Sequence, residues 1–215
     1  MTDENPERDG DNPRWRVGIL LVPDVELLDF CGPLEVFTVA ARFIEDQALR
    51  LEACTIAQTD GPLTTRAGLK VLPDYTTADH PKIDVLVVPG GMGTRREVEN
   101  AALIAWIARV ASSAELTASV CTGAFLLARA GLLGTRDVTT HWASLDRLAE
   151  SHPEVTVRRE VRWVDTGDIV TSAGISAGID MSLHLVARLL GDEIARKTAR
   201  QMEYHWQDAD HLSER

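Results

Sequence analysis

The sequence has little cysteine, little basic charge and no long apolar run. Three cysteines stand in 215 residues, at positions 31, 54 and 121, without CxxC or histidine-pair spacing. That excludes a disulfide framework and a zinc site, and no metal or cofactor is expected. Lys and Arg number 22 against 33 Asp and Glu, a formal net charge of −11, which makes nucleic acid an unlikely partner on electrostatic grounds. The apolar runs are short and interrupted, as Arg129 interrupts the one after Cys121. With no basic-then-apolar leader either, membrane partners are not expected, and a protein of the reducing cytoplasm fits best.

A Pro/Gly/Ser-rich linker is absent too, so residues 15–215 read as one domain. Residues 1–14 are different: no apolar side chain stands between Met1 and Trp15. They read as a disordered tail. The tail carries a charge of −3, leaving −8 on the domain.

What the domain does have is alternation. Residues 17–22 form an apolar run of the kind a strand buried on both faces shows, and Pro23 ends it. A loop with Leu28, Asp29, Phe30, Cys31 and Gly32 follows, and Pro33 suits the first position of a helix whose face holds Val36, Phe37 and Ala40. Strands are predicted at 51–57 and 83–88, with a hairpin excursion over 63–72. Asn100 caps a helix with Leu103, Ile107 and Val110 inward, and 116–120 returns as a strand. Further strands are expected over 155–164 and 169–171, and helices over 179–190 and from Asp192 onward. This βαβα order predicts a mostly parallel sheet with helices on both faces and a site outside the carboxyl ends of the strands.

The most informative segment is Ala118-Ser119-Val120-Cys121-Thr122-Gly123-Ala124-Phe125. A strand, a sharp turn and a helix there form a cysteine nucleophile elbow: the turn presents the sulfur, Gly123 permits close backbone approach, and the helix start favours a thiolate. Three loops should converge on Cys121: its own, the one holding Asp29, and Pro89-Gly90-Gly91-Met92-Gly93, whose glycines leave main-chain N–H groups approachable to substrate. Cys121 is the candidate nucleophile, and the N–H groups of Gly91 and Thr122 are candidate oxyanion donors. Asp29, in an apolar loop beside a thiolate, should have a raised pKa and act as general acid/base. His141, His184 and His205 read as structural, and Cys31 as a small buried side chain.

These residues together resemble the DJ-1/PfpI superfamily, and within it isonitrile hydratases and the ligand-binding halves of AraC-type regulators. Further landmarks are Thr139-Thr140-His141-Trp142 and the run from Thr171 through Gly174 and Gly178 to Asp180. The resemblance implies a flavodoxin-like α/β sandwich, usually a homodimer, with the elbow cysteine and a first-loop acid side by side. Cys121 and Asp29 match those positions. Isonitrile hydratases are similar in having Asp at the loop position and Thr after the cysteine, as Thr122 is here. Glyoxalase and deglycase-like branches have Glu at the loop position, and PfpI-type proteases have His after the cysteine. Cys31 stands where relatives have Thr.

The activity implied is cysteine-dependent hydration of isonitriles to N-substituted formamides. The alternatives are a non-catalytic small-molecule or redox-sensing domain, and a glyoxalase or deglycase-type enzyme. About ten residues follow Tyr204, too few for the helix-turn-helix of an AraC-type regulator, so autonomous DNA binding is not expected. The expected partner is a small electrophile.

Overall fold

The computed structural model describes residues 14–45 and 50–208. The tail assigned to 1–14 therefore lies outside the described residues, except that Arg14 begins the first strand. In chain order the elements are β1 (Arg14–Leu20), α1 (Leu27–Ala41), β2 (Arg50–Ala57), β3 (Leu63–Thr64), β4 (Lys70–Val71), β5 (Tyr75–Thr76) and β6 (Val85–Val88). Then come α2 (Thr94–Glu97), α3 (Ala101–Ala111), β7 (Leu116–Val120), α4 (Gly123–Arg129), β8 (Asp137–Val138), a 3₁₀ turn (Trp142–Ser144) and α5 (Leu145–Ser151). The remaining elements are β9 (Thr156–Val157), β10 (Trp163–Asp165), β11 (Ile169–Ser172), α6 (Ala177–Leu190) and α7 (Asp192–Gln201).

Seven strands form one sheet in the order β10-β11-β7-β6-β1-β2-β5. Every pair is parallel except the edge pair β10 and β11. β6 and β7 are buried at every position; β6 accordingly reads as an unbroken apolar run, whereas β7 buries the polar Thr117 and Ser119 among its apolar residues. Helices α1, α6 and α7 pack together as one layer, and α2, α3 and α4 as the other. Val17, Ile19, Phe37, Leu86, Ile107 and Leu183 are among the side chains that fill the space between sheet and helices. This is the flavodoxin-like sandwich the sequence implied.

The strand order decides where a site can lie. The chain runs from β1 outward to β2, then returns to the other side of β1 and continues through β6, β7 and β11. The direction reverses between β1 and β6, and a crevice opens outside their carboxyl ends at such a switch point. The segments leaving β1 and β6 are also fastened together. Val25 and Gly91 form an isolated antiparallel bridge, and Glu26 N donates to Gly90 O at 3.0 Å.

Three local expectations change. Asp29 lies not in a loop but in the first turn of α1, which starts at Leu27 and carries Pro33 inside it. An acidic residue there is favoured by the helix dipole, and proline removes only one main-chain bond, so Pro33 did not mark the start. The strand expected over 155–164 divides into β9 and β10, with Glu160 between them at φ 57°. The first strand ends at Leu20 although Leu21 and Val22 remain buried. The hairpin over 63–72 is formed by β3 and β4.

Candidate active site

Cys121 sits between β7 and α4 with φ 56°, a left-handed conformation that costs a non-glycine residue of order 1–3 kcal/mol. The surrounding main chain holds it there. Cys121 N donates to Ser172 O and Ala173 O at 3.2 and 3.3 Å, and its carbonyl accepts from Thr140 Oγ1 at 2.7 Å. Gly123 explains how the turn can be so tight: a Cβ there would lie 2.0 Å from Val88 O. The helix start therefore crosses directly over the end of β6, and only glycine fits.

The other two segments meet the elbow. Asp29 is fully buried, and its Oδ2 accepts from Gly90 N at 3.1 Å. Its Oδ1 has no conventional hydrogen-bond partner, and the carboxyl interacts with the Cys121 thiol, which shifts both groups. Gly91 N donates to Thr122 Oγ1 at 3.0 Å. Thr94 Oγ1 lies 3.0 Å from Thr122 Oγ1 and 2.8 Å from Gly91 O. Thr122 is thus fixed from two sides.

This arrangement revises the expected donor set. The N–H groups of Gly90 and Gly91 are engaged, one orienting Asp29 and the other Thr122. The donors that favour the thiolate form of the sulfur are the N–H and the hydroxyl of Thr122, and the hydroxyl also has Gly91 O at 3.3 Å as an acceptor. Glycine permits the close approach, and its main-chain donors hold the Asp29 and Thr122 side chains instead of standing open.

The electrostatics are those of a buried pair sharing protons. Burial pushes the Asp29 carboxyl up to about 7, with Glu26 adding to the rise and the Gly90 N–H opposing it. Burial, reinforced by the Asp29 charge, pushes the Cys121 thiol up to about 12. At rest the sulfur is therefore protonated, not the thiolate expected from the helix start, because Cys121 is only 6% exposed and the nearest charge is negative. The carboxyl titrates near neutrality, so it can accept the thiol proton and return it.

His141 is next in the chain to Thr140, whose hydroxyl donates to Cys121 O. It packs against Gly174 and is influenced by Arg66 and Glu26. Burial, then the Arg66 charge, lowers its pKa and favours neutral imidazole. His184 is remote: on α6, it pairs with Asp165 at 2.6 Å. His205 is exposed beyond α7, and Cys31 is half-buried on α1 with its thiol pushed up by burial. Thr94 and Thr140 were not singled out beforehand, because a threonine acting through another residue leaves no local pattern. Among the described residues no group of three His, Cys, Asp or Glu side chains is placed to hold a metal ion, and no helix is long and apolar enough to cross a membrane.

A flavodoxin-like sheet carrying a strained cysteine elbow beside a buried carboxyl defines a class of thiol proteins built at a topological switch point. The chain belongs to the DJ-1/PfpI family, which it matches over residues 15–188. It is 35% identical to isonitrile hydratase of Pseudomonas putida over 189 residues, covering 88% of this chain and 78% of that protein. It is 33% identical to the HTH-type transcriptional regulator CdhR of Pseudomonas aeruginosa, over 85% of this chain but only 53% of the regulator. The chain thus spans about half the length of that regulator. Among solved structures, a THiJ/PfpI family protein from Pseudomonas syringae superposes with a TM-score of 0.79 at 28% identity, covering 100% of this chain and 84% of that one. DJ-1beta of Drosophila melanogaster shares the fold, with a TM-score of 0.76 at 19% identity over 90% of this chain and 100% of that one.

Proposed function

We propose that this protein hydrates isonitriles to N-substituted formamides, with Cys121 as nucleophile and Asp29 as general acid/base. The observation that carries the reading is the buried Asp29–Cys121 pair, with the carboxyl titrating near 7 beside a protonated thiol. Its support from relatives is the 35% identity to isonitrile hydratase.

An isonitrile carbon needs both a nucleophile and a proton. Asp29 takes the thiol proton as the Cys121 sulfur bonds to that carbon, then delivers it to the same carbon, giving an enzyme-bound thioimidate. Water adds to the C=N carbon, its proton passing through Asp29 to nitrogen. The C–S bond of the tetrahedral adduct breaks, releasing the formamide, and the hydroxyl proton returns the sulfur to a thiol. The sum is isonitrile plus water giving formamide, with no redox change. The Thr122 N–H and hydroxyl would stabilise the sulfur when it carries negative charge.

The test is formamide production from an aryl isonitrile by the protein and by Cys121→Ala. Turnover should fall at least about a thousandfold in the variant, as for loss of a covalent nucleophile; normal turnover there would end the reading. A sensing role is the second reading, favoured by the 33% identity to CdhR. Saturable binding of a small molecule with no turnover of any isonitrile would support it. Against a peroxide-sensing form stands the sulfur itself, 6% exposed with its thiol pushed up to about 12.

A further inference from the structure

A cavity of about 380 Å³ opens between α2, α4 and α5, with Thr94 but neither Cys121 nor Asp29 in its lining. Its walls are chemically unusual for a chain of net charge −11. Three arginines, Arg95, Arg129 and Arg147, converge on it, with one carboxylate, Glu99. None of the three makes an ion pair among the described residues, although Arg66, Arg96, Arg136, Arg158, Arg162 and Arg188 all do.

The three are held differently. The Arg147 guanidinium lies 4.1 Å over the centre of the Phe125 ring, a stacked geometry that leaves its edges free. Its Nε is buried and has no hydrogen-bond partner, an unusual cost for a cationic donor. Arg129 spends Nε on Val98 O at 3.3 Å and keeps its terminal nitrogens. Arg95 is exposed, and among the described residues its guanidinium has no ion-pair partner; its main-chain N–H donates to Met92 O at 3.3 Å. Burial and the Arg95 charge both disfavour the Arg147 cation. Three arginines thus face a single carboxylate, Glu99, an excess of positive charge that the terminal nitrogens of Arg129 and Arg147 and the side chain of Arg95 leave for an anion to balance.

We infer that this cavity is a binding site for a small organic anion, whose carboxylate or phosphate sits among Arg95, Arg129 and Arg147 while its apolar body lies along Phe125 and Val98. The site is distinct from the Cys121 pair: Thr94 is the wall they share, and neither Cys121 nor Asp29 lines the cavity. The inference stands whether or not the protein hydrates isonitriles. Glu99 opposes a second negative charge near the rim, so a ligand with one anionic end is favoured over one charged at both ends.

The experiment is titration calorimetry of the full chain with phenyl phosphate, benzoate and uncharged benzamide at fixed ionic strength, repeated with Arg95→Gln, Arg147→Gln and, as control, Arg109→Gln. At least one of the two anions should bind saturably at one site and benzamide should not. Which anion binds more tightly identifies the headgroup. Both pocket variants should weaken binding about tenfold or more, the loss expected when a charge-assisted contact is removed, and Arg109→Gln should leave it unchanged. Arg95→Gln carries the test if Arg147→Gln unfolds, because Arg95 supports no other side chain. No saturable binding of either anion would overturn the inference, and so would equal binding by benzamide or equal affinity in the Arg95 variant.

Discussion

Gly91 N donates to Thr122 Oγ1 at 3.0 Å, joining positions 31 residues apart and tying the loop after β6 to the cysteine elbow. The bond explains why Thr122 and not a bulkier or apolar residue follows the cysteine. The Thr122 oxygen accepts from Gly91 N and Thr94, and its proton has Gly91 O at 3.3 Å as an acceptor, so rotation about the C–O bond is what would turn it to the sulfur that Thr122 influences. Thr122→Val keeps the shape but leaves the Gly91 N–H without its acceptor, while the Thr94 hydroxyl keeps Gly91 O. A stability loss of about 1–3 kcal/mol is expected, with a fall of about a hundredfold in formamide formation as one donor to the reacting sulfur is lost. Thr122→Ser should restore both. Thermal melts and isonitrile turnover check this, and a Val variant as active as the Ser variant would remove Thr122 from the mechanism.

The buried Asp29 makes stability depend on pH in a definite direction. Its carboxyl titrates near 7 in the folded chain against 3.8 when free. Between those values the folded state binds more protons than the unfolded state, so the stability Asp29 contributes is full below about pH 4 and is lost as pH rises towards 7. The shift corresponds to about 4 kcal/mol at most. Asp29→Asn, which can still accept from Gly90 N, should therefore melt higher than the parent at pH 8 and close to it at pH 4, while losing turnover. Denaturant melts across that range test it; equal gains at both pH values would mean that Asp29 is not the titrating group.

Much of this was legible in the chain. The continuous apolar runs ending in Pro23 and Pro89 located two adjacent parallel strands, and a cysteine followed by glycine after a third strand located the elbow. Those signals are local. The start of α1 was not legible, because Pro33 is tolerated inside the helix while an uncapped Glu26 begins it. Nor was the protonation of Cys121, which depends on burial and on a carboxyl 92 positions away in sequence. Thr94 was invisible for a related reason: its role exists only once α2 brings it against Thr122. The arginine cavity likewise draws on three helices, and no spacing in the sequence announces it.

Gly90 is a position where space, not φ, sets the residue. A Cβ there would lie 2.6 Å from Thr122 N and 2.9 Å from Asp29 Oδ2. The first contact is with main chain, which cannot swing aside, so Gly90→Ala must push the elbow away from the carboxyl. Turnover should fall at least about a hundredfold, the penalty of an ångström-scale misplacement, while the fold survives with a loss of about 1–3 kcal/mol from overpacking. Circular dichroism and turnover separate the two effects; an alanine variant of normal activity would mean that the Gly90 contact with the elbow is dispensable.

Asp180 links the segment after α7 to Cys121. Fully buried on α6, it accepts from Arg162 Nε at 2.6 Å, from Tyr204 Oη at 3.0 Å and from Gln207 N at 3.0 Å. Arg162 O in turn accepts from Ala173 N at 2.8 Å, and Ala173 O is one of the two carbonyls that hold Cys121 N. A strained cysteine persists only where its surroundings over-determine it, and this chain of bonds reaches one of the carbonyls that hold it. Asp180→Asn leaves the Arg162 charge unpaired in a half-buried site, so a loss of about 3 kcal/mol is expected. If the network also restrains the elbow, iodoacetamide should label Cys121 several times faster in the variant, because a loosened turn is less buried. Faster tryptic cleavage after Arg200 with an unchanged labelling rate would instead confine Asp180 to fastening the segment beyond α7. The two rates, measured on the same sample at a temperature where both proteins are folded, separate local loosening of the elbow from global unfolding.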